Sequence, residues 1–423
     1  MAEASSGTDG AAVVLGGGAP PIMVVPSRSQ LAAGAVWVTI ANWADAIEAH
    51  HGGVEIVTPA GPLTPALARS EAFGGAVNRP VGPSPAYGRL TGHLRVLAKD
   101  VRSALRAVRF ACHERSRRRR PGADVPFVWQ HHDLFQFAGL LMARRLGSPF
   151  VLFVDAPIVW EARRWGVTRP GWGGALERVA ERPLLRRADA VLCVSSAVAD
   201  ASIHRGARPE RVLVTPCTAS VPQPAPDGGS VRRTHGIEDD FVIGWVGSFR
   251  AFHALDLLVD AVADVELGGA RPVLLLVGDG PDRDRILGLC AERGLGVVAP
   301  GSVPHDEVFA YIAAFDCAVL TAPADGDFHY SPLKLKEYLA MGVPVVAPDV
   351  GEMHAVLRDG EDAYLYPPGD VKAVSARLEL AASDPVRRAA IGRAGRATAE
   401  RSFDIRDQLV ALDAVLRRAN RAR

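Results

Sequence analysis

At 423 residues the chain is longer than one hydrophobic core usually organises, so two domains are expected. Its 48 basic and 47 acidic side chains leave a formal net charge of +1, which gives no global field for nucleic acid or an acidic partner. With 48% hydrophobic and 22% charged residues it reads as an ordinary globular protein, and no apolar run reaches the roughly 18 residues of a membrane span.

Residues 1–21 are rich in Ala, Gly and Ser and carry no Lys or Arg, so they read as a disordered leader and not as a signal peptide. Gly16-Gly17-Gly18 lacks the following Lys-Ser/Thr of a P-loop. Apolar runs then alternate with longer helical patterns, the signature of parallel α/β layers. Strands are predicted at Ile22–Val25, Val54–Val57, Pro126–Trp129, Phe150–Val154, Ala190–Val194 and Val212–Thr215. Helices are predicted at Ala35–His50, Leu90–Arg117, Leu134–Leu146, Gly174–Arg187 and Ser196–Arg205. Prolines and glycines from Cys217 to Arg232 mark a linker. A second set follows, with strands at Phe241–Gly247, Val273–Val277, Gly296–Pro300, Cys317–Thr321 and Val343–Ala347. Its helices lie near Ala254–Val265, Arg283–Arg293, Asp306–Phe315, Pro332–Met341 and Met353–Leu357, and the tail reads as helices over Val371–Arg396 and Asp404–Arg418. The expected organisation is a leader (1–21), a first domain (22–216), a linker (217–232), a second domain (233–403) and a closing helix (404–423) that crosses back to the first domain. Five scattered cysteines, Cys112, Cys193, Cys217, Cys290 and Cys317, form no metal spacing and favour a reducing cytoplasm.

Chemistry concentrates at strand ends, where open α/β sheets bind ligands. Gln130-His131-His132-Asp133 follows the third predicted strand, and Asp155 ends the fourth. Each histidine reads either as a group facing the cleft or as a satisfied loop residue, and Asp155 as a ligand for a hydroxyl or a cap. Glu161 reads as structural or solvent-facing. Gly247-Ser248-Phe249-Arg250-Ala251-Phe252-His253 combines a close-approach glycine with a cation suited to a diphosphate. Gly278-Asp279-Gly280-Pro281 and Gly301-Ser302-Val303-Pro304 are weaker strand-end turns. The densest signal is Ser331-Pro332-Leu333-Lys334-Leu335-Lys336-Glu337-Tyr338, closed by Gly342 and a buried strand. Ser331 is a good N-cap and Pro332 a good first helical residue. The amides of Leu333 and Lys334 would then face an anion, with Glu337 on the same helix face beside a ribose diol. The run Arg115 to Arg120 is a favourable cationic helix end or a dock on anionic lipid at the inner membrane face. The absence of an aromatic anchor favours the former.

In their order and spacing these pieces resemble the retaining family-four glycosyltransferases of GT-B fold, in the subgroup with Ser-Pro-x-Lys-x-x-Glu-Tyr. The resemblance rests on Gly247–Arg250, Val277–Pro281, Pro300–Pro304, Ser331–Ala347 and Asp359–Asp370. In the first half it rests on Phe137–Leu140, Val151–Glu161 and Leu185–Val198. It implies two Rossmann-like domains facing a central cleft and no cofactor beyond a nucleotide-sugar donor, with UDP or GDP expected. Transfer would be metal-independent, to a small-molecule, glycan or lipid-linked acceptor. It implies Glu337 as ribose ligand, Arg250 and His253 on the diphosphate with Gly247 and Ser248, Val303 near the base, and the turn Ser331–Lys334 on the phosphates. His131, His132 and Asp155 would lie near the transferred sugar, and Gly34 beneath the diphosphate. Asp325-Gly326-Asp327 reads as a loop and not as a metal motif.

The chain departs from that pattern at four places. His329 stands eight residues before Glu337, where a first Glu is usual, and His253 replaces a Lys. Ala254 replaces a helix-opening Gly, and Pro216-Cys217-Thr218-Ala219-Ser220 replaces the usual end of the first domain. His329 and the altered hinge segment keep a non-catalytic GT-B partner subunit as the rival reading. A nucleotide-sugar epimerase is less favoured, and a dehydrogenase lacks a GxGxxG after any strand.

Overall fold

The computed structural model describes residues 19–25, 35–74, 89–116, 124–269, 271–324 and 328–421. Residues 1–18 of the expected leader, Gly34, residues 117–120 of the arginine run and 325–327 lie outside them. Among the described residues, strands form two sheets. The first has the order β3-β2-β1-β4-β5-β6-β7, with β1 Ile22–Val24, β2 Glu55–Thr58, β3 Gly61–Leu63, β4 Val128–His131, β5 Phe150–Val154, β6 Ala190–Cys193 and β7 Val212–Val214. The second has the order β10-β9-β8-β11-β12-β13. It comprises β8 Phe241–Val246, β9 Pro272–Val277, β10 Gly296–Gly301, β11 Cys317–Val319, β12 Val345–Pro348 and β13 Tyr364–Tyr366. All neighbours pair in parallel except β2 with β3. Parallel strands are covered on both faces, which is why Phe150–Val154 is apolar and buried throughout.

In each sheet the chain direction of assembly reverses once, between β1 and β4 and between β8 and β11. Such switch points open a crevice at the carboxyl ends of the strands. The two-domain α/β architecture is that of the GT-B fold.

Several boundaries differ from expectation. The helix expected from Leu134 begins at Ala138. Gln130, leaving β4, accepts from Gly139 N at 2.8 Å and donates to Gln136 O at 2.8 Å, so its amide takes the first-turn position. The glycine pair at the linker's end is not a hinge: Gly229–His235 is helical, and a Cβ on Gly228 would lie 2.3 Å from the Ala313 carbonyl carbon. The tail pattern Val371–Arg396 breaks at Asp384, whose carboxylate caps Arg387 N at 2.9 Å, into helices Val371–Ser383 and Pro385–Ser402. The short helices Pro65–Gly74 and Ile158–Arg164 and the strands β3 and β13 were not anticipated.

The closing helix Ile405–Arg421 lies in the first core. Its Leu409, Leu412, Val415 and Leu416 pack there, and Asp413 meets His50 at 3.0 Å. None of the described helices is long and apolar enough to cross a membrane.

Candidate functional site

The opening motif is built as one unit by its tyrosine. In the helix Leu333–Ala340, Leu335, Tyr338 and Leu339 face the second core, and the Tyr338 hydroxyl accepts from Val246 N at 2.7 Å. That bond fixes the helix start against the end of β8. Lys334 Nζ consequently lies 4.1 Å above the Trp245 ring, and a Cβ on Gly247 would approach it to 2.6 Å. Nζ is buried and has no hydrogen-bond partner among the described residues. Glu337, one turn on, is buried as well, with its Oε1 3.4 Å from His305 Nε2 but without hydrogen-bond geometry. Burial pushes the Glu337 carboxyl up to about 7 against the pull of Lys334. Burial likewise brings the Lys334 ammonium down to about 7 against the pull of Glu337. A cation and an acid are thus held at one helix start without a full set of partners, at a cost that a ligand can offset.

The loop after β8 closes over this pair. Phe249 is buried, Arg250 is exposed, and Ala251–His253 forms a single 3₁₀ turn. Loops 247–250 and 278–282 mesh backbone to backbone. Phe249 N donates to Asp279 O at 3.1 Å and Asp282 N to Phe249 O at 3.0 Å. Gly278, at φ 130°, leaves no space for a side chain, since a Cβ there would sit 1.9 Å from Gly247 O. Thr321, just past β11, donates its hydroxyl to the His253 carbonyl. His253 is no second cation here: burial, then Lys334 and Arg250, drive its imidazole down to about 2. It is neutral and offers hydrogen bonds alone, while Lys334 stands close enough to provide the charge. Trp245, His253, Thr321, Tyr330 and Lys334 border a slot of about 10 Å³, roughly one water's space. Val303 lies in the turn between β10 and the helix His305–Ala313, partly buried against the second core. Larger by far, a groove of about 240 Å³ lies at the hinge, away from this chemistry, between Thr218–Val221 and Phe403–Ile405.

Ser331 does not cap the helix. Pro332 occupies that position with no side-chain cap, and the Ser331 hydroxyl is taken by a buried ion pair. It donates to the Glu352 carboxylate at 3.1 Å, while accepting from Lys336 Nζ at 2.6 Å and Cys217 N at 3.0 Å. Lys336 also pairs directly with Glu352. A breaking of either charge would strand the other in the interior. Ser331 therefore joins the second domain to the hinge, and the first-turn amides of Leu333 and Lys334, which no intrahelical carbonyl reaches, are what remains for an anion.

Across the cleft, His131 ends β4 and its Nε2 lies 2.7 Å from Asp155 Oδ2, at the end of β5. The Asp155 side chain is 40% exposed, so this dyad reaches solvent. His132 is sealed instead: its side chain is 1% exposed and its Nε2 lies 3.2 Å from Glu181 Oε1, the place of a satisfied loop residue. Glu181 accepts from Ile158 N at 2.5 Å and Val159 N at 3.2 Å. The buried His132–Glu181 pair thereby anchors the start of helix Ile158–Arg164. That helix carries Glu161, which is not simply solvent-facing: its Oε1 is 3.5 Å from His329 Nε2 in the other domain. A carboxylate thus does stand beside His329, supplied from across the cleft. The His329 ring meets Trp160 edge-on at 5.0 Å, and its carbonyl accepts from the Ser195 hydroxyl. Trp165 and Phe252 meet at 4.8 Å and complete the seam. Glu181, Glu352, Trp160 and Trp165 escaped the sequence reading, since each acts through a residue remote along the chain.

Comparison with known proteins matches residues 34–218 to a glycosyl transferase 4-like domain and residues 240–384 to glycosyl transferases group 1. The chain is 30% identical over 340 residues to 2-deoxystreptamine N-acetyl-D-glucosaminyltransferase of Streptomyces fradiae, covering 75% of this chain and 78% of that one. It is 26% identical to alpha-D-kanosaminyltransferase of Streptomyces kanamyceticus, covering 63% and 70%. Among solved structures it resembles sucrose-phosphate synthase of Thermosynechococcus elongatus (TM-score 0.68, 18% identity, 96% and 100% covered). Anabaena HepE in complex with UDP aligns with a TM-score of 0.61 at 18% identity, covering 93% and 99%.

Proposed function

The chain belongs to the glycosyl transferases group 1 family, and from that premise we propose that it moves a sugar from a nucleoside diphosphate donor to an acceptor hydroxyl, with retained configuration and no metal. The observation that carries the site assignment is the buried Lys334 ammonium beside Gly247, without a hydrogen bond among the described residues, with Glu337 one turn further on. The donor diphosphate lies on the Leu333 and Lys334 amides, between the Lys334 side chain and Arg250, with Ser248 and His253 adding hydrogen bonds. Glu337 takes the ribose diol, and the base lies towards Val303. UDP and GDP both suit this arrangement; HepE is a UDP complex, and a relative from Mycobacterium tuberculosis is named a GDP-mannose-dependent alpha-mannosyltransferase.

In the transfer, the bond from the anomeric carbon to the diphosphate oxygen breaks, and the acceptor oxygen bonds to that carbon on the same face. The acceptor proton goes to the departing diphosphate oxygen. Two cations and a helix N-terminus stabilise the charge that develops there. Asp155 holds His131, which orients the acceptor at the cleft mouth.

Calorimetry with UDP- and GDP-sugars tests the reading. Glu337→Ala is expected to weaken donor binding by about tenfold or more, with a far smaller effect on the unfolding midpoint. Unchanged donor affinity in the folded variant removes the ribose assignment. Nucleotide binding by the wild type without sugar release to any acceptor favours the non-catalytic subunit instead.

A further inference from the structure

The helix Arg89–Ser116 carries a face that, among the described residues, neither the fold nor the donor site uses. Its inner side is settled by Ala107 and Phe110 in the interior, with buried Asp100 bound by Arg169 at 2.9 and 3.0 Å and by Trp172 at 3.1 Å. Leu94, Leu97, Val101, Leu105 and Val108 follow one another at spacings of three and four, which places them in one stripe. All five are exposed, from 40% at Leu97 to 60% at Val108. The stripe runs about 21 Å along the axis.

Arg95, Lys99, Arg102, Arg106 and Arg109 are exposed on one shoulder of that stripe. The helix has two acids, Asp100 and Glu114, and both are buried. Its outward surface is therefore aliphatic and cationic, on a chain whose net charge is only +1.

We propose that this face docks on an anionic lipid surface, the aliphatic stripe entering the headgroup–acyl boundary and the cationic shoulder lying against lipid phosphates. Charge complementarity selects the partner. A second copy of the same face offers no carboxylate to the shoulder, and a nucleic acid would leave the five aliphatic side chains in water. A helix with exposed Leu and Val on one side and Lys and Arg beside them is the pattern of an interfacial helix. The stripe also provides the apolar anchor that the arginine run at the helix end lacks. The inference is independent of the donor assignment.

Flotation of the full-length protein with vesicles tests it, using equal parts phosphatidylglycerol and phosphatidylcholine against phosphatidylcholine alone. The protein is expected to float with the anionic vesicles only, and less in high salt. Leu97→Gln/Val101→Gln/Leu105→Gln and Arg102→Glu/Arg106→Glu should each lower the partition by about tenfold or more, since one cation near such a surface is worth about fivefold. Exposed positions leave the unfolding midpoint nearly unchanged, which separates loss of docking from loss of fold. No binding by the wild type, or binding by either variant equal to that of the wild type, overturns the proposal. So does a wild-type dimer that the triple variant converts to monomer, because a second copy would then cover the face.

Discussion

Lys334→Met should move two measurements in opposite directions. Methionine matches the length of the lysine stem and keeps its packing over Trp245, but it removes an ammonium whose nitrogen is buried without a hydrogen bond. An unsatisfied buried polar group costs about 1–3 kcal/mol, and more when charged. Glu337 loses an attractive neighbour in the variant, yet its carboxyl already titrates near 7 and can turn neutral. A net stabilisation of about 1 kcal/mol is expected. The sign with pH follows from the depressed lysine, which falls from 10.5 to about 7 on folding. Below about 7 the ammonium is charged in both states, so its burial cost, and the advantage of methionine, are fully present. The advantage shrinks as pH rises towards 10.5, where both states have lost the proton. Donor affinity should instead fall by about 1.5–3 kcal/mol, roughly 10- to 150-fold in Kd, as a charge-assisted contact to the diphosphate disappears. Urea unfolding at a series of pH values and calorimetry with the better-binding nucleotide sugar measure the two effects. A lower unfolding midpoint at pH 6, or a Kd within about twofold of wild type, refutes the reasoning.

Arg250 is exposed, so Arg250→Ala should leave the unfolding midpoint within about 0.5 kcal/mol and lower turnover at saturating donor by about 100-fold; a normal kcat ends its assignment to the leaving diphosphate. Ala254 sits at φ 47° and ψ 48°, a left-handed conformation that costs a side chain about 1–2 kcal/mol. Ala254→Gly should therefore stabilise by about 0.5–1 kcal/mol after the larger entropy of the unfolded glycine is counted, and a lower midpoint in urea would show that the turn is unstrained.

The strands and the loops at their carboxyl ends were legible in the sequence because buried parallel strands leave unbroken apolar runs such as Phe150–Val154 and Pro272–Val277. Side-chain direction in irregular backbone was not. His131 and His132 are neighbours at the end of the same strand, and no periodicity separates the one that meets solvent-facing Asp155 from the one sealed against Glu181. Ser331 has the right residue type for a cap, but a buried Lys336–Glu352 pair competes for its hydroxyl. That competition joins residues 5 and 21 positions away, beyond any local pattern. Helix Ile158–Arg164 is too short for propensity to reveal, and a glutamate 23 residues on supplies its start.

The chain crosses between its domains twice, and the crossings touch: the Gln408 side chain donates to the Pro216 carbonyl at 3.1 Å. Two adjacent tethers act as a door hinge and not as a leash. The domains meet again at the seam of Trp165 on Phe252 and Glu161 on His329. Where that seam opens for a donor, its strength enters the apparent affinity for every donor alike.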